Sequence, residues 1–161
     1  MMEAIIGISV AMMGLLGILT LFTRSLAYNH DLERRLTATY LAAEGIELVH
    51  AKIDENYMNR SAWDFDIFDG SYQIDYRSTA LGLSGTANKI AFVGDRYIQE
   101  DPVSNPLAYV RKVEIQKIMH NGNPDELRVV SRVSWDARTG PTETVLEDHF
   151  FNWKPGVILP L

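Results

Sequence analysis

The sequence predicts an α+β protein, in which a long N-terminal α-helix lays its second half on an antiparallel β-sheet. Three observations carry this. Twenty consecutive uncharged residues, Ala4 to Thr23, open the chain between Glu3 and Arg24. A helical stripe of apolar residues follows, and the first proline is Pro102. Beyond Tyr109 come three runs of alternating apolar and polar residues separated by compact turn signals. The chain has 161 residues, 47% hydrophobic and 22% charged, with a mean hydropathy near zero. That excludes a disordered or collagen-like polymer. The absence of cysteine excludes disulfides and thiolate chemistry. The net charge of −6 argues against a basic nucleic-acid-binding face.

As a helix, Ala4 to Thr23 is about 30 Å long, the thickness of a bilayer's hydrocarbon core. A signal peptide fits poorly, because no Lys or Arg precedes the run and Thr23-Arg24-Ser25 is a poor cleavage site. A head this small has no core able to surround the run on all sides. Glu3 sits at its edge, where a carboxylate either meets a partner or serves the positive end of the helix. Gly7, Gly14 and Gly17 each cost about 1 kcal/mol relative to Ala in a helix interior. They point either to close helix–helix packing or to a stretch around Gly14 to Gly17 that unwinds locally.

After Arg24 the pattern turns amphipathic. Ala38, Ala42, Ile46, Val49 and Ile53 recur at spacings of four, four, three and four, with Leu41 and Leu48 at the flanks. Asp31, Glu33, Arg34, Arg35, Glu44, Glu47 and Lys52 fall on the other side. One helix is therefore expected to about Asn56, with residues 1–24 as an apolar half and 25–56 as an amphipathic half. Residues 57–161 form the globular head.

In the head, Asn59 to Gly70 reads as a loop holding Trp63, Phe65 and Phe68. Ser71 to Arg77 reads as a strand with Tyr72, Ile74 and Tyr76 on one side. Leu81 to Asn88 reads as a loop and Lys89 to Val93 as a short strand. Tyr109 to Met119, Leu127 to Trp135 and Thr142 to Phe151 are the long strands. Asn121-Gly122-Asn123-Pro124 and Asp136 to Pro141 link them as a meander. Without disulfides the sheet needs a packed core, expected around Trp135 and Trp153.

Catalytic constellations are not legible. His30, His50, His120 and His149 have no metal-ligand spacing and read as surface histidines. No phosphate-binding glycine loop or nucleophile elbow occurs. Asp64, Asp66 and Asp69 suggest a calcium loop, but their spacing is wrong for an EF-hand, and a solvated loop is the preferred reading. No enzyme activity, cofactor or metal is expected.

Two segments together resemble a known family. Met2-Glu3-Ala4-Ile5-Ile6 leads into the glycine-containing apolar helix, and Tyr40-Leu41-Ala42-Ala43-Glu44-Gly45-Ile46-Glu47-Leu48-Val49 follows. This resembles bacterial type IV pilins and pseudopilins, the prepilin-type N-terminal methylation family, over about Met2 to Asp54. Phe151-Asn152-Trp153-Lys154 is similar to the ending of some cysteine-free members.

The resemblance implies a precursor whose basic leader is removed by a prepilin peptidase that also methylates the new N-terminus. The subunit then waits in the cytoplasmic membrane, and assembly machinery draws it into a homopolymeric pilus (fimbrium) at the cell surface. It implies that Ile5, Ile6, Gly7, Val10, Gly14, Leu15, Gly17, Ile18, Leu21 and Phe22 line the filament core. Glu3 would face the N-terminal ammonium of a neighbouring subunit and set the register, with Met1 beside it. The family places its glutamate fifth, so the chain is expected to begin about two residues inside the mature protein. The alternatives are a pseudopilin or minor pilin of a secretion or DNA-uptake system, and a monomeric membrane-anchored binding domain.

Overall fold

The structure is a computed structural model that describes residues 2–72, 74, 89–93, 96–100, 109–120, 122–138 and 140–153. The expected loop at 81–88 and positions 73 and 75–77 of the expected strand, Tyr76 among them, lie outside these residues. The chain divides into two compact units, Met1–Leu36 and Thr37–Leu161.

Helix α1 runs without interruption over Met2–Met58, two residues past the expected end. It is continuous through Gly14 to Gly17. It stops in a Schellman motif. The Ser61 N–H donates to the Asn56 carbonyl at 2.9 Å and the Arg60 N–H to the Tyr57 carbonyl at 3.1 Å. Arg60 takes the left-handed position with φ of 57°. An L-residue with a Cβ is strained there by about 1–2 kcal/mol, and the Arg60 side chain is exposed. Arg60→Gly is expected to raise the unfolding free energy by about 0.5–1 kcal/mol. Urea denaturation of the two proteins side by side checks this.

Six strands follow: β1 Gly70–Tyr72, β2 Lys89–Val93, β3 Arg96–Glu100, β4 Tyr109–His120, β5 Asn123–Ala137 and β6 Gly140–Phe151. They form one antiparallel sheet in the order β3-β2-β4-β5-β6. Along one edge of β4, β2 pairs at Tyr109 and Val110, and β1 pairs from Val113 to Ile115. The meander β4-β5-β6 is the one expected, with tighter turns. His120 faces Asn123 and Ala137 faces Gly140, so each hairpin loop is only two residues. Gly122 supplies a positive φ of 85° inside the first turn, and Gly140, with φ of 119°, opens β6 directly after the second. The strands therefore extend into segments expected as linkers. Pro124 is tolerated inside β5 because the ladder shifts register between Ile118 and Met119 on its partner. Strand β3 was not expected; its five residues, Arg96 to Glu100, are too short and polar to stand out, and pairing with β2 makes the strand.

Alternation along β4 and β5 sorts their residues onto two faces. Tyr109, Arg111, Val113 and Ile115 face inward, as do Leu127, Val129, Ser131, Val133 and Trp135. The helical stripe lies on them: Ala38, Ala42, Val49 and Ile53 are buried, with Leu41, and Ile46 is half-buried. Two hydrophobic clusters result. One joins Val49 and Ile53 to Trp63, Ile67, Tyr72, Ile74, Val113, Ile115, Leu127 and Val129. The other joins Ala38, Leu41 and Ala42 to Ile90, Tyr109, Val133 and Trp135.

The aromatic loop after α1 is part of this core. The buried Asn56 Nδ2 donates to the Trp63 carbonyl at 3.1 Å and the Phe65 carbonyl at 2.8 Å, tucking Trp63 and Ile67 under the helix end. Phe65 and Phe68 point outward.

Trp153 corrects the sequence reading. Trp135 is buried, but Trp153 is 71% exposed, just past the end of β6. Trp135→Ala is expected to cost about 3–5 kcal/mol, the usual price of removing a buried aromatic. Trp153→Ala is expected to cost less than about 0.5 kcal/mol. Thermal melts of both variants test this; equal effects would contradict the burial.

Candidate functional site

Within the first unit, the helix from Ala4 to Thr23 presents apolar side chains on every side. Ile5, Ile6, Val10, Leu15, Ile18, Leu21 and Phe22 are each 59–68% exposed. Apolar area of this extent is normally covered in a soluble protein. A Cβ placed on Gly7, Gly14 or Gly17 would meet nothing within 4 Å, so each glycine leaves a shallow notch on the surface. The polar side chains in the run turn inward to the helix backbone. Ser9 Oγ donates to the Ile5 carbonyl and Thr20 Oγ1 to the Leu16 carbonyl, both at 2.8 Å. Thr23 Oγ1 donates to the Thr20 carbonyl at 2.9 Å. With its hydroxyls satisfied locally, the segment presents no unmet donor from these groups to an apolar medium. It is long and apolar enough to cross a membrane. Glu3 stands in the first turn, where its charge also suits the helix dipole. Met1 lies outside the described residues.

The second unit holds its part of the helix by a polar waist between the two hydrophobic clusters. Arg111 on β4 is 2% exposed and points inward. Its Nη1 donates to the Leu41 carbonyl and to Glu44 Oε2, both at 2.9 Å. Its Nη2 donates to the Ile74 carbonyl at 2.6 Å. One guanidinium thus ties the helix, β4 and the segment after β1. Gly45 makes this possible. A Cβ there would lie 2.6 Å from Ser131 Oγ, 3.0 Å from Val113 Cγ2 and 3.1 Å from Arg111 Cδ. The missing side chain lets β4 and β5 approach the helix and opens the Leu41 carbonyl, one turn earlier, to Arg111. Arg111 Nε and Ser131 Oγ are buried here with no hydrogen-bond partner among the described residues.

The three aspartates of the loop do not converge. Asp64 Oδ2 pairs with Lys117 Nζ at 2.6 Å, and Asp69 Oδ1 accepts the Lys117 backbone N–H at 2.5 Å. Their carboxylates pin the loop to β4 rather than forming a calcium cradle, and Asp66 occupies a left-handed turn position. Among the described residues, no group of three or more His, Asp or Glu is arranged to hold a metal.

Sequence reasoning found the helical stripe but missed Asn56, Gly45, Arg111 and Ser131. A signal for Arg111 was present: it takes an apolar position in the alternation Tyr109, Arg111, Val113, Ile115. Its partners Leu41 and Glu44, with Gly45, all fall inside the segment that carried the family resemblance.

No family model, curated protein or solved structure matches the chain. The architecture itself is pilin-like: a long, apolar N-terminal helix whose later part packs on an antiparallel sheet.

Proposed function

We propose that the protein is a structural subunit that polymerises through its apolar helix into an extracellular type IV pilus-like filament, without enzyme activity. The observation that carries this reading is the helix from Met2 to Phe22, apolar on every side and uncovered, continuous with a stretch built into a folded head. Before assembly a bilayer covers the apolar run. In the filament, helices of other copies cover it, packing through the notches at Gly7, Gly14 and Gly17. Glu3 pairs with the N-terminal ammonium of a neighbour. Each charge is costly in an apolar bundle, so the pair forms in one axial register and excludes the others. A prepilin peptidase and a membrane assembly machinery are the partners this reading requires. A pseudopilin or minor subunit of a secretion or DNA-uptake system uses the same chemistry at lower abundance.

The competing reading is a monomeric head on a membrane anchor, favoured by a helix that meets the length and composition of a single span. Glu3 separates the two. Glu3→Ala is expected to leave membrane insertion unchanged. It should also remove surface filaments, because breaking one partner of a buried pair costs about 3–5 kcal/mol at each subunit contact. Electron microscopy of sheared surface material and fractionation of the membrane read both outcomes. Filaments of normal abundance from the variant, or none from the wild type, would favour the anchored monomer.

A further inference from the structure

On the outer face of the sheet, away from the helix, His149 of β6 lies between two carboxylates. Its Nδ1 is 2.5 Å from Glu126 Oε1 and its Nε2 is 3.1 Å from Glu147 Oε1. A neutral imidazole carries one N–H and can donate to only one of them; the imidazolium donates to both. Glu126, on β5, is 11% exposed in its side chain, so little water is there to replace the lost bond. Glu147 is held in turn by Arg128 of β5, with Nε to Oε1 at 2.7 Å and Nη2 to Oε2 at 2.8 Å. His120, the last residue of β4, brings its Nε2 to 3.9 Å from Glu126 Oε2. Asp148 accepts the His149 backbone N–H at 2.8 Å. Glu114 of β4 is the next charge felt by Arg128. Strand β6 is the edge of the sheet and pairs only with β5 among the described strands.

We infer that His149 is a proton-operated clasp that fastens the edge strand β6 to β5, closed when the imidazole is charged and loosened when it is neutral. The hydrogen bonds to Glu126 and then Glu147 raise the His149 pKa above its ordinary value of 6.5. A raised histidine pKa gives stability that is complete below the unfolded value and is lost as pH rises through the folded value. Glu147 works in the opposite sense. Arg128 and then His149 hold its pKa down at about 2, so its contribution is complete above about 4.5 and fades as pH falls toward 2. The clasp is therefore tightest between about pH 4.5 and 6.5 and opens as the pH rises through the raised His149 pKa.

The test uses the full chain in detergent micelles. Amide hydrogen exchange of β6 is followed at about pH 6 and about pH 8.5, after correction for the intrinsic pH dependence of exchange. In the wild type, protection of β6 relative to the centre of β5 is expected to fall at least about three-fold at the higher pH. In His149→Gln the same ratio is expected to be flat. Glu147→Gln should weaken the wild-type change, while His120→Gln should largely keep it. An unchanged pH dependence in His149→Gln would overturn the inference. Direct NMR titration of the His149 ring in the wild type needs no variant to fold. A midpoint above 6.5 is expected, and one at or below it would also overturn the clasp.

Discussion

Arg111→Ala is expected to destabilise the head by about 3–5 kcal/mol, enough to unfold a domain of ordinary stability. The substitution leaves the carbonyl of the buried Ile74 without its 2.6 Å donor. It also strips Glu44 of its partner and opens a cavity between the two hydrophobic clusters. Arg111→Met separates these causes. Methionine refills the space and removes the buried charge, which is often neutral or favourable when a buried ion pair is replaced. The carbonyl still loses its donor, a loss of about 1–3 kcal/mol, so Met is expected to fall well short of Ala. Urea denaturation with an unchanged m-value is the measurement. An Arg111→Ala variant within about 1 kcal/mol of wild type would mean that the waist contributes little to the fold.

Gly45 carries the second large effect. In an isolated helix Gly45→Ala would gain about 1 kcal/mol. In this head the new Cβ would sit 2.6 Å from Ser131 Oγ, so the helix must lift or the serine must rotate. A net loss of about 1–3 kcal/mol is expected, and Gly45→Leu should prevent the head from folding. Ser131→Ala removes both the clashing atom and a buried hydroxyl with no partner among the described residues. Alone it should be close to neutral. In combination it should return part of the Gly45→Ala loss, with a coupling of about 0.5–3 kcal/mol. Strict additivity of the two substitutions would rule out the close approach.

Both predictions fall on residues that the sequence did not single out, and the reason is physical. Ala38, Ala42, Val49 and Ile53 announce themselves because burial follows helical periodicity. Val129, Val133 and Trp135 do so because it follows the alternation of a strand. Gly45 announces nothing, since a glycine in a helix is equally a notch, a hinge or an accident. Only the position of Ser131, far along the chain, shows what its missing side chain permits. Arg111 breaks the apolar alternation of its strand, and no local pattern names the helix carbonyl that accepts from it. Trp153 misled for the converse reason. Its aromatic side chain suggested a core residue, yet β6 ends before it and it is 71% exposed.

By itself the sequence determined the α+β class, the long helix, the three-stranded meander and the apolar run that asks for a covering. These are one-dimensional properties, set by hydrophobic period, turn residues and the absence of charge. The tertiary structure decided how helix, loop and strands lock together: the Gly45 gap, the Arg111 bridge, the aspartates paired with Lys117 and the contact of His149 with Glu126. Each joins residues distant in sequence through distances of a few ångströms. Hydrogen bonds and steric contacts act only at that range, so folding alone brings their partners together.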